Sequence, residues 1–448
     1  MASSEVSRAV AIPAVPSLRR SFAWTLGGNL VYALCQWGMI SGLAKLGTPA
    51  AVGQFALALA ISAPVFMLTN LFLRGIQATD VRAEFVFSNY FTLRLMGTAT
   101  GFAIVVGILA VSSRSWETVG VVLFVAAAKA VESFTDVIAG LLQKHERLDQ
   151  VAVSMVLKGV CSLAAFSIVY LRTRSVVLAS AALCVAWSVV FFAYDLQVAR
   201  RILGHGSRYL TWQPEALRKL AKLAAPVGVV MALVSLNANI PRYAVERYRG
   251  SSELGIFAAL AYLVVAVGLI VNALGQSAIV RMSRSFASGD TKQFVRLLSR
   301  MALLGVGLAA VGIALAAVFG RVALRLLYGP EYATHLNLLL LLIGTSGLTA
   351  AASFLGCGMS AARHFREQLP VTIATVATCA LFAYLLTPRW GMMGAAIAIT
   401  LSAITQIAGS LIVLSKAIRK AKPQVSRGDD ISILEQEEVL SIAGGVTE

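Results

Sequence analysis

Long runs of Leu, Val, Ala, Ile and Phe fill this chain, separated by short polar breaks, and they show no residue-by-residue alternation. A helix needs about 20 apolar residues to cross a bilayer, whereas membrane strands alternate over segments of about ten. Twelve helical spans are therefore predicted, near residues 22–43, 51–73, 88–111, 118–141, 151–171, 176–197, 220–240, 254–280, 297–319, 335–358, 370–387 and 393–415. The first follows Leu18-Arg19-Arg20. It is too long for a signal-peptide core and lacks a small-residue cleavage site, so it reads as a retained membrane helix.

One span breaks the apolar pattern. The stretch VVLFVAAAKAVESFTDVIAGLLQKHERLD, from Val121 to Asp149, carries Lys129, Glu132 and Asp136 deep inside. At 100° per residue, positions 129, 132, 136, 140 and 143 fall within an arc of roughly 80°. An ionisable group in hydrocarbon costs several kcal/mol, so these side chains turn to a partner or a wet cavity. The span has an apolar back and a charged front.

A repeat is visible in the same pattern. LGTPAAVGQFA, residues 46–56, and RGSSELGIFA, residues 249–258, each place a glycine turn before a Gly-x-Phe-Ala. Each opens the second long span of its half, and Gly255 follows Gly53 by 202 positions. Six spans per repeat give halves inserted in the same orientation. The expected fold class is an all-α polytopic membrane protein with two pseudo-symmetric six-helix bundles around a central cavity. The expected divisions are a cytoplasmic N-terminal segment (1–20), six-helix lobes (21–205 and 206–418), and a cytoplasmic, disordered tail (419–448).

Composition sharpens this picture. Of 448 residues, 58% are hydrophobic and only 13% charged, against about 25% charged in soluble domains. Lys and Arg concentrate in the tails and even-numbered connections, which places both termini in the cytoplasm. The net charge of +17 is then largely topology and attraction to anionic lipid. No basic soluble domain is present to bind nucleic acid. The five cysteines sit inside apolar spans without CxxC spacing, and the four histidines show no HxxxH pairing. Neither a metal site nor a cofactor is expected.

Other buried polar groups extend the charged front. They are Asn29 and Gln36 in the first span, Asn70 with Arg74 at the end of the second, Arg94 in the third and Lys158 in the fifth. Asn237, Asn239, Arg242 and Tyr243 close the seventh span, and Asn272 and Gln276 punctuate the eighth. Asp195 lies near a span end and reads as interfacial. Two readings compete: Lys129–Glu132 and Arg94 or Lys158 with Asp136 are ion pairs that lock the bundle, or they line a cavity. Pro241 should kink or stop the seventh span, which would place Arg242 and Tyr243 at the outer mouth of a cleft.

The patterns LGTPAAVGQFALALAISAPVFMLTNLFLRGIQATD, YFTLRLMGT, KAVESFTDVIAGLLQKHERLD, SLNANIPRYAVERYRGSSELGIFAALAYL and LYGPEYA occur in this order. Together they resemble the polysaccharide-exporting flippases of the Wzx type. That branch belongs to the superfamily that also holds the multidrug and lipid II flippases. The resemblance spans roughly residues 20 to 415. It implies a non-enzymatic transporter in the bacterial inner membrane that moves a polyprenyl-pyrophosphate-linked oligosaccharide between leaflets. It also implies that Arg94, Lys129, Glu132, Asp136, Lys158, Asn239 and Arg242 line the central cavity. Partners would be the lipid-linked glycan, membrane lipids, and polymerase or glycosyltransferase proteins of polysaccharide assembly.

The residues suit that task on physical grounds. A pyrophosphate cannot enter hydrocarbon bare, and each sugar hydroxyl loses hydrogen bonds there. Arg94, Lys129 and Lys158 would meet phosphate, while Asn29, Gln36, Asn237, Asn239, Arg242 and Tyr243 would meet sugar. Glu132 and Asp136 would temper the positive field and are candidates for a coupling ion, H⁺ or Na⁺. No GxxxxGK[ST] nucleotide loop occurs. The alternative is an ion-coupled multidrug or small-molecule antiporter of the same superfamily, for which a cavity with a net positive charge is a poor match.

Overall fold

The structure, a computed structural model, describes residues 18–80, 82–204 and 208–420. These are almost wholly helical, and no strand occurs among the described residues. The N-terminal segment and most of the acidic tail lie outside them, as does the expected lobe boundary at 205/206.

Helix α1 (Leu18–Leu46) ends two residues before α2 (Pro49–Asn70). Thr48 caps α2 by accepting from the Ala51 backbone N–H at 3.3 Å, and Pro49 needs no donor in the first turn. At Leu71 and Phe72 the backbone turns left-handed, with φ of 52° and 53°, before α3 (Leu73–Thr79) resumes. Two consecutive non-glycine residues in that region cost about 1–3 kcal/mol each. The break turns the short α3 out of line with α2.

Three helices complete the charged region: α4 (Phe87–Ala110), α5 (Trp116–Lys144) and α6 (Leu148–Thr173). Ser115 caps α5 by accepting from the Thr118 N–H. Helix α7 (Val176–Val190) widens into a π-helical turn, Phe191–Asp195, before α8 (Leu196–Leu203).

Helix α9 (Pro214–Ala287) is too long for one span, and its backbone leaves helical geometry at Gly250, with φ 81° and ψ 179°. Then follow α10 (Thr291–Leu327), the short α11 (Pro330–Ala333), α12 (Leu336–Ala361) and α13 (Phe365–Lys420). Gly391, at φ 55°, breaks α13 in the same manner. Counting the limbs on either side of the two glycines, the predicted spans fall mainly on helical stretches, although 51–73 runs past the break at Leu71-Phe72 and 176–197 runs through the π-helical turn into α8. Eight helices are long and apolar enough to cross a membrane among the described residues. The chain is a multi-pass membrane protein.

The expected stop at Pro241 is corrected. Helical geometry runs through Pro241 and ends at Gly250 instead. A proline removes one donor, and neighbouring helices can satisfy the freed carbonyl. Gly250 adopts a positive φ that other residues resist.

Contacts divide the chain into two compact units. Among the described residues, the first holds those up to 263 together with 322–335 and 384–395. The second holds the described residues 264–321, 336–383 and those from 396 onward. In the first, Leu73, Tyr90, Leu93, Val137 and Leu220 form one core cluster, which ties α3, α4 and α5 to the start of α9. The segment before α9 is strapped to α4: the Thr211 hydroxyl donates to Ser88 Oγ at 2.8 Å, and Asn89 Nδ2 donates to Gln213 Oε1 at 3.0 Å. In the second, Met282, Phe294, Leu298, Met359 and Leu414 pack together.

Candidate functional site

The face predicted on α5 is the centre of an ion-paired cluster. Lys129 Nζ lies 2.6 Å from Glu132 Oε2, three residues along the helix. The Tyr32 hydroxyl on α1 donates to Glu132 Oε1 at 3.1 Å. Lys129 also stands over the Trp187 ring at 5.5 Å. One turn further along, Asp136 receives Arg94 Nη2 at 2.9 Å and Arg74 Nη1 at 3.7 Å.

The lower part of the same face receives α3. A Cβ on Gly140 would come within 3.2 Å of the Arg74 Cα, so the absent side chain is what lets that backbone approach. Arg74 Nε then donates to Gln143 Oε1 at 3.3 Å. Every position of the predicted arc therefore has a defined task. Three carry charge, one admits a backbone and one accepts from an arginine.

The cluster has two layers. Arg74, Lys129, Glu132 and Asp136 are between a quarter and about a third exposed at the side chain. Behind them, Arg94 is fully buried and Lys158 nearly so. Lys158 Nζ pairs with Asp195 Oδ2 at 3.4 Å, and the Thr135 hydroxyl donates to the same oxygen at 2.8 Å. Arg94 has Asp136 as its ion-pair partner, while its Nε and Nη1 find no hydrogen bond among the described residues. A cavity of about 100 Å³ is lined by Tyr32, Arg74, Glu132, Asp136, Lys158 and Asp195, among others.

Asp195 is a correction to the sequence reading, which left it at an interface. It is 1% exposed and pairs with Lys158. The π-helical turn adds a residue to the local register and so re-aims the side chain. Arg74 and Tyr32 also belong to the cluster without having been singled out as site residues. Tyr32 had a signal, since it shares a helix face with Asn29 and Gln36 at i, i+3 and i+7.

The remaining candidates form a second group. Asn29 is half-buried and donates to the Thr25 carbonyl at 2.8 Å, and Gln36 shares its face. Asn239 is buried, donates to the Ser235 carbonyl at 2.8 Å, and accepts from Arg242 Nη1 at 2.7 Å. Arg242 lies over the Tyr262 ring at 6.0 Å. Asn237 is half-buried on the same limb. The Tyr243 hydroxyl donates to the Ala60 carbonyl of α2. Tyr243 also lines an open cavity of about 980 Å³ with Arg114, Glu246, Arg247 and Tyr384. The side chains of Asn272 and Gln276 lie outside the described residues.

Residues 18–286, more than half of the chain, match the family described as polysaccharide biosynthesis protein. The capsular polysaccharide biosynthesis protein CapF of Staphylococcus aureus is 27% identical over 388 residues, covering 86% of this chain and 96% of CapF. Among solved structures, an inward closed conformation of the lipid II flippase MurJ superposes with a TM-score of 0.72 at 11% identity, covering 89% of this chain and 90% of that one. An inward-facing MATE family multidrug resistance transporter of the MOP superfamily gives a TM-score of 0.67 at 14% identity, covering 88% and 96%. These two likenesses fix the fold.

Proposed function

The chain belongs to the polysaccharide biosynthesis protein family, and from that premise we propose that it is a flippase. Its cargo would be a polyprenyl-pyrophosphate-linked oligosaccharide, carried across the bacterial cytoplasmic membrane for polysaccharide export. The observation that carries this reading is the two-layered cluster on α5. Four cations (Arg74, Arg94, Lys129 and Lys158) meet three carboxylates (Glu132, Asp136 and Asp195) within an apolar bundle.

An excess of one positive charge suits a pyrophosphate that must enter and then leave. Lys129 and Arg74, in the partly exposed layer, would contact phosphate by displacing Glu132 or the long Asp136 contact. Arg94 and Lys158, expected from the sequence to meet phosphate, are buried behind the carboxylates and would instead hold them in place and supply field. Asn29, Gln36, Asn237, Asn239, Arg242 and Tyr243 would exchange hydrogen bonds with sugar. Glu132 and Asp136 would carry a coupling H⁺ or Na⁺.

In this reading the lobes are residues 21–205 and 206–418, both termini face the cytoplasm, and Arg242 and Tyr243 stand at the outer mouth. The reaction is movement alone, with no bond made or broken by the protein. Glycosyltransferases would supply the substrate and a polymerase would consume it.

Reconstitution tests this directly. Purified protein in proteoliposomes should carry a labelled lipid-linked oligosaccharide to the opposite leaflet, read by its accessibility to a glycan-modifying enzyme outside. Failure to move that lipid, with transport of a small cationic drug instead, would replace the flippase by a drug antiporter.

A further inference from the structure

The repeat seen in the sequence closes on itself in space. A Cβ placed on Gly53 would overlap the carbonyl oxygen of Ser251, and one placed on Gly255 would overlap the carbonyl oxygen of Pro49. The same Cβ on Gly255 would stand 2.9 Å from the Gly53 backbone nitrogen. Gly255 follows Gly53 by 202 positions, and Ser251 follows Pro49 by the same 202. Residue 53 therefore meets the repeat-equivalent of 49, while residue 49 meets the repeat-equivalent of 53. Such reciprocity defines a two-fold, isologous contact in an oligomer, and here it occurs between two repeats of one chain.

We infer that these four residues are a latch. It holds the first turn of α2 to the first turn of the 251–287 limb and must part for the cleft to open on that side. The chemistry fits a contact that forms and releases. Each glycine presents an α-hydrogen to a carbonyl oxygen, a weak interaction of about 0.5–1 kcal/mol that needs no side chain to be desolvated. Small residues allow backbones to approach this closely in membranes.

Neighbouring contacts join the same two segments or their flanks. Tyr243 donates to the Ala60 carbonyl, about two turns along α2 from Gly53. Arg114 Nη1 pairs with Glu246 Oε1 at 3.4 Å, and Ser251 Oγ donates to that same oxygen at 3.1 Å. Ala56 and Ala258, one turn inward from each glycine, are almost fully buried. A methyl group at either glycine thus presses backbone against backbone, and the strain falls on the latched state alone.

The inference rests on the transporter reading for its purpose, but closure can be measured without transport. In a cysteine-free background, the reporter Ala56→Cys is exposed to a membrane-impermeant maleimide from outside intact cells. Gly53→Ala and Gly255→Ala should each raise its labelling about tenfold, and to similar extents because the contacts are reciprocal. Gly27→Ala should not, since a Cβ there meets nothing within 4 Å. Unchanged labelling in well-folded Gly53→Ala and Gly255→Ala proteins would overturn the latch.

A second arm leaves both glycines intact, which covers the case in which the alanine variants fail to accumulate. Pro49→Cys and Ser251→Cys, joined by a short reducible cross-linker, should stop oligosaccharide flipping in proteoliposomes until reduction. Full-rate flipping with quantitative cross-linking would also overturn the latch. Absence of flipping in the uncross-linked protein would instead count against the flippase reading, and the labelling result would stand by itself.

Discussion

The charged face of α5 and the hydroxyl-lined helices of the second unit bury polar groups in different ways. In α12 and α13, Thr345 donates to the Leu341 carbonyl at 2.8 Å and meets the Thr400 hydroxyl at 2.7 Å. Ser402 donates to the Thr375 carbonyl at 3.2 Å. Hydroxyls of this kind satisfy themselves on nearby backbone and leave no net field. Around α5 the groups are ions, and the buried ones, Arg94, Lys158 and Asp195, are tolerable only while their counter-ions stay in place. One region is a zipper, and the other is a balance that a charged ligand can tip.

The largest effect should come from tipping that balance beside its most buried cation, Arg94. Asp136→Ala leaves Arg94 without its ion-pair partner at full burial. Removing one partner of a buried pair costs about 3–5 kcal/mol. Thermal melting of the purified protein in detergent should show this loss, and Arg94→Leu/Asp136→Leu should recover most of it. A single Asp136→Ala melt matching wild type would erase the distinction between the two regions.

Thr345→Val should behave quite differently. Interhelical hydrogen bonds in membranes are worth about 0.6 kcal/mol on average, so its melting should shift only slightly. A loss as large as that of Asp136→Ala would mean that the second unit also hides an electrostatic centre.

The smallest effect lies at a helix end outside the spans. Burial raises the pKa of Asp80, but the backbone N–H groups of Glu84 and Phe85, followed by Lys144 and the Tyr90 hydroxyl, together bring it below the ordinary carboxylate range. A depressed pKa stabilises the fold at neutral pH, and that contribution disappears as pH falls through the folded-state value. The gap in melting temperature between wild type and Asp80→Asn should therefore narrow on acidification. A gap that widens would reverse the sign of this linkage.

Much of this was legible in the sequence because hydrocarbon punishes exceptions. Lys129, Glu132 and Asp136 stood out from an apolar run, and their spacing alone put them on one face. The glycines of the repeat were visible too, although nothing in a linear pattern says that Gly53 and Gly255 meet. Asp195 read as interfacial because a π-helical turn changes the register without a compositional mark. Arg74 stood out only as a polar residue at a span end, because α2 breaks at Leu71-Phe72, where no glycine or proline announces a left-handed turn. Pro241 suggested a stop that the backbone makes only at Gly250, since a membrane helix can carry a proline that a soluble helix would not.

The central claim is that a cation on the exposed layer of the α5 face is used to move an anionic head group. Lys129 is the residue that isolates it, because its pair with Glu132 is a partly exposed contact within one helix and contributes little to stability. Flipping of a lipid-linked oligosaccharide in proteoliposomes should be measured for wild type, Lys129→Arg and Lys129→Gln at matched reconstitution. The account predicts that the arginine variant keeps part of the rate and the glutamine variant loses most of it, with both proteins melting near wild type. Full-rate flipping by Lys129→Gln would contradict it.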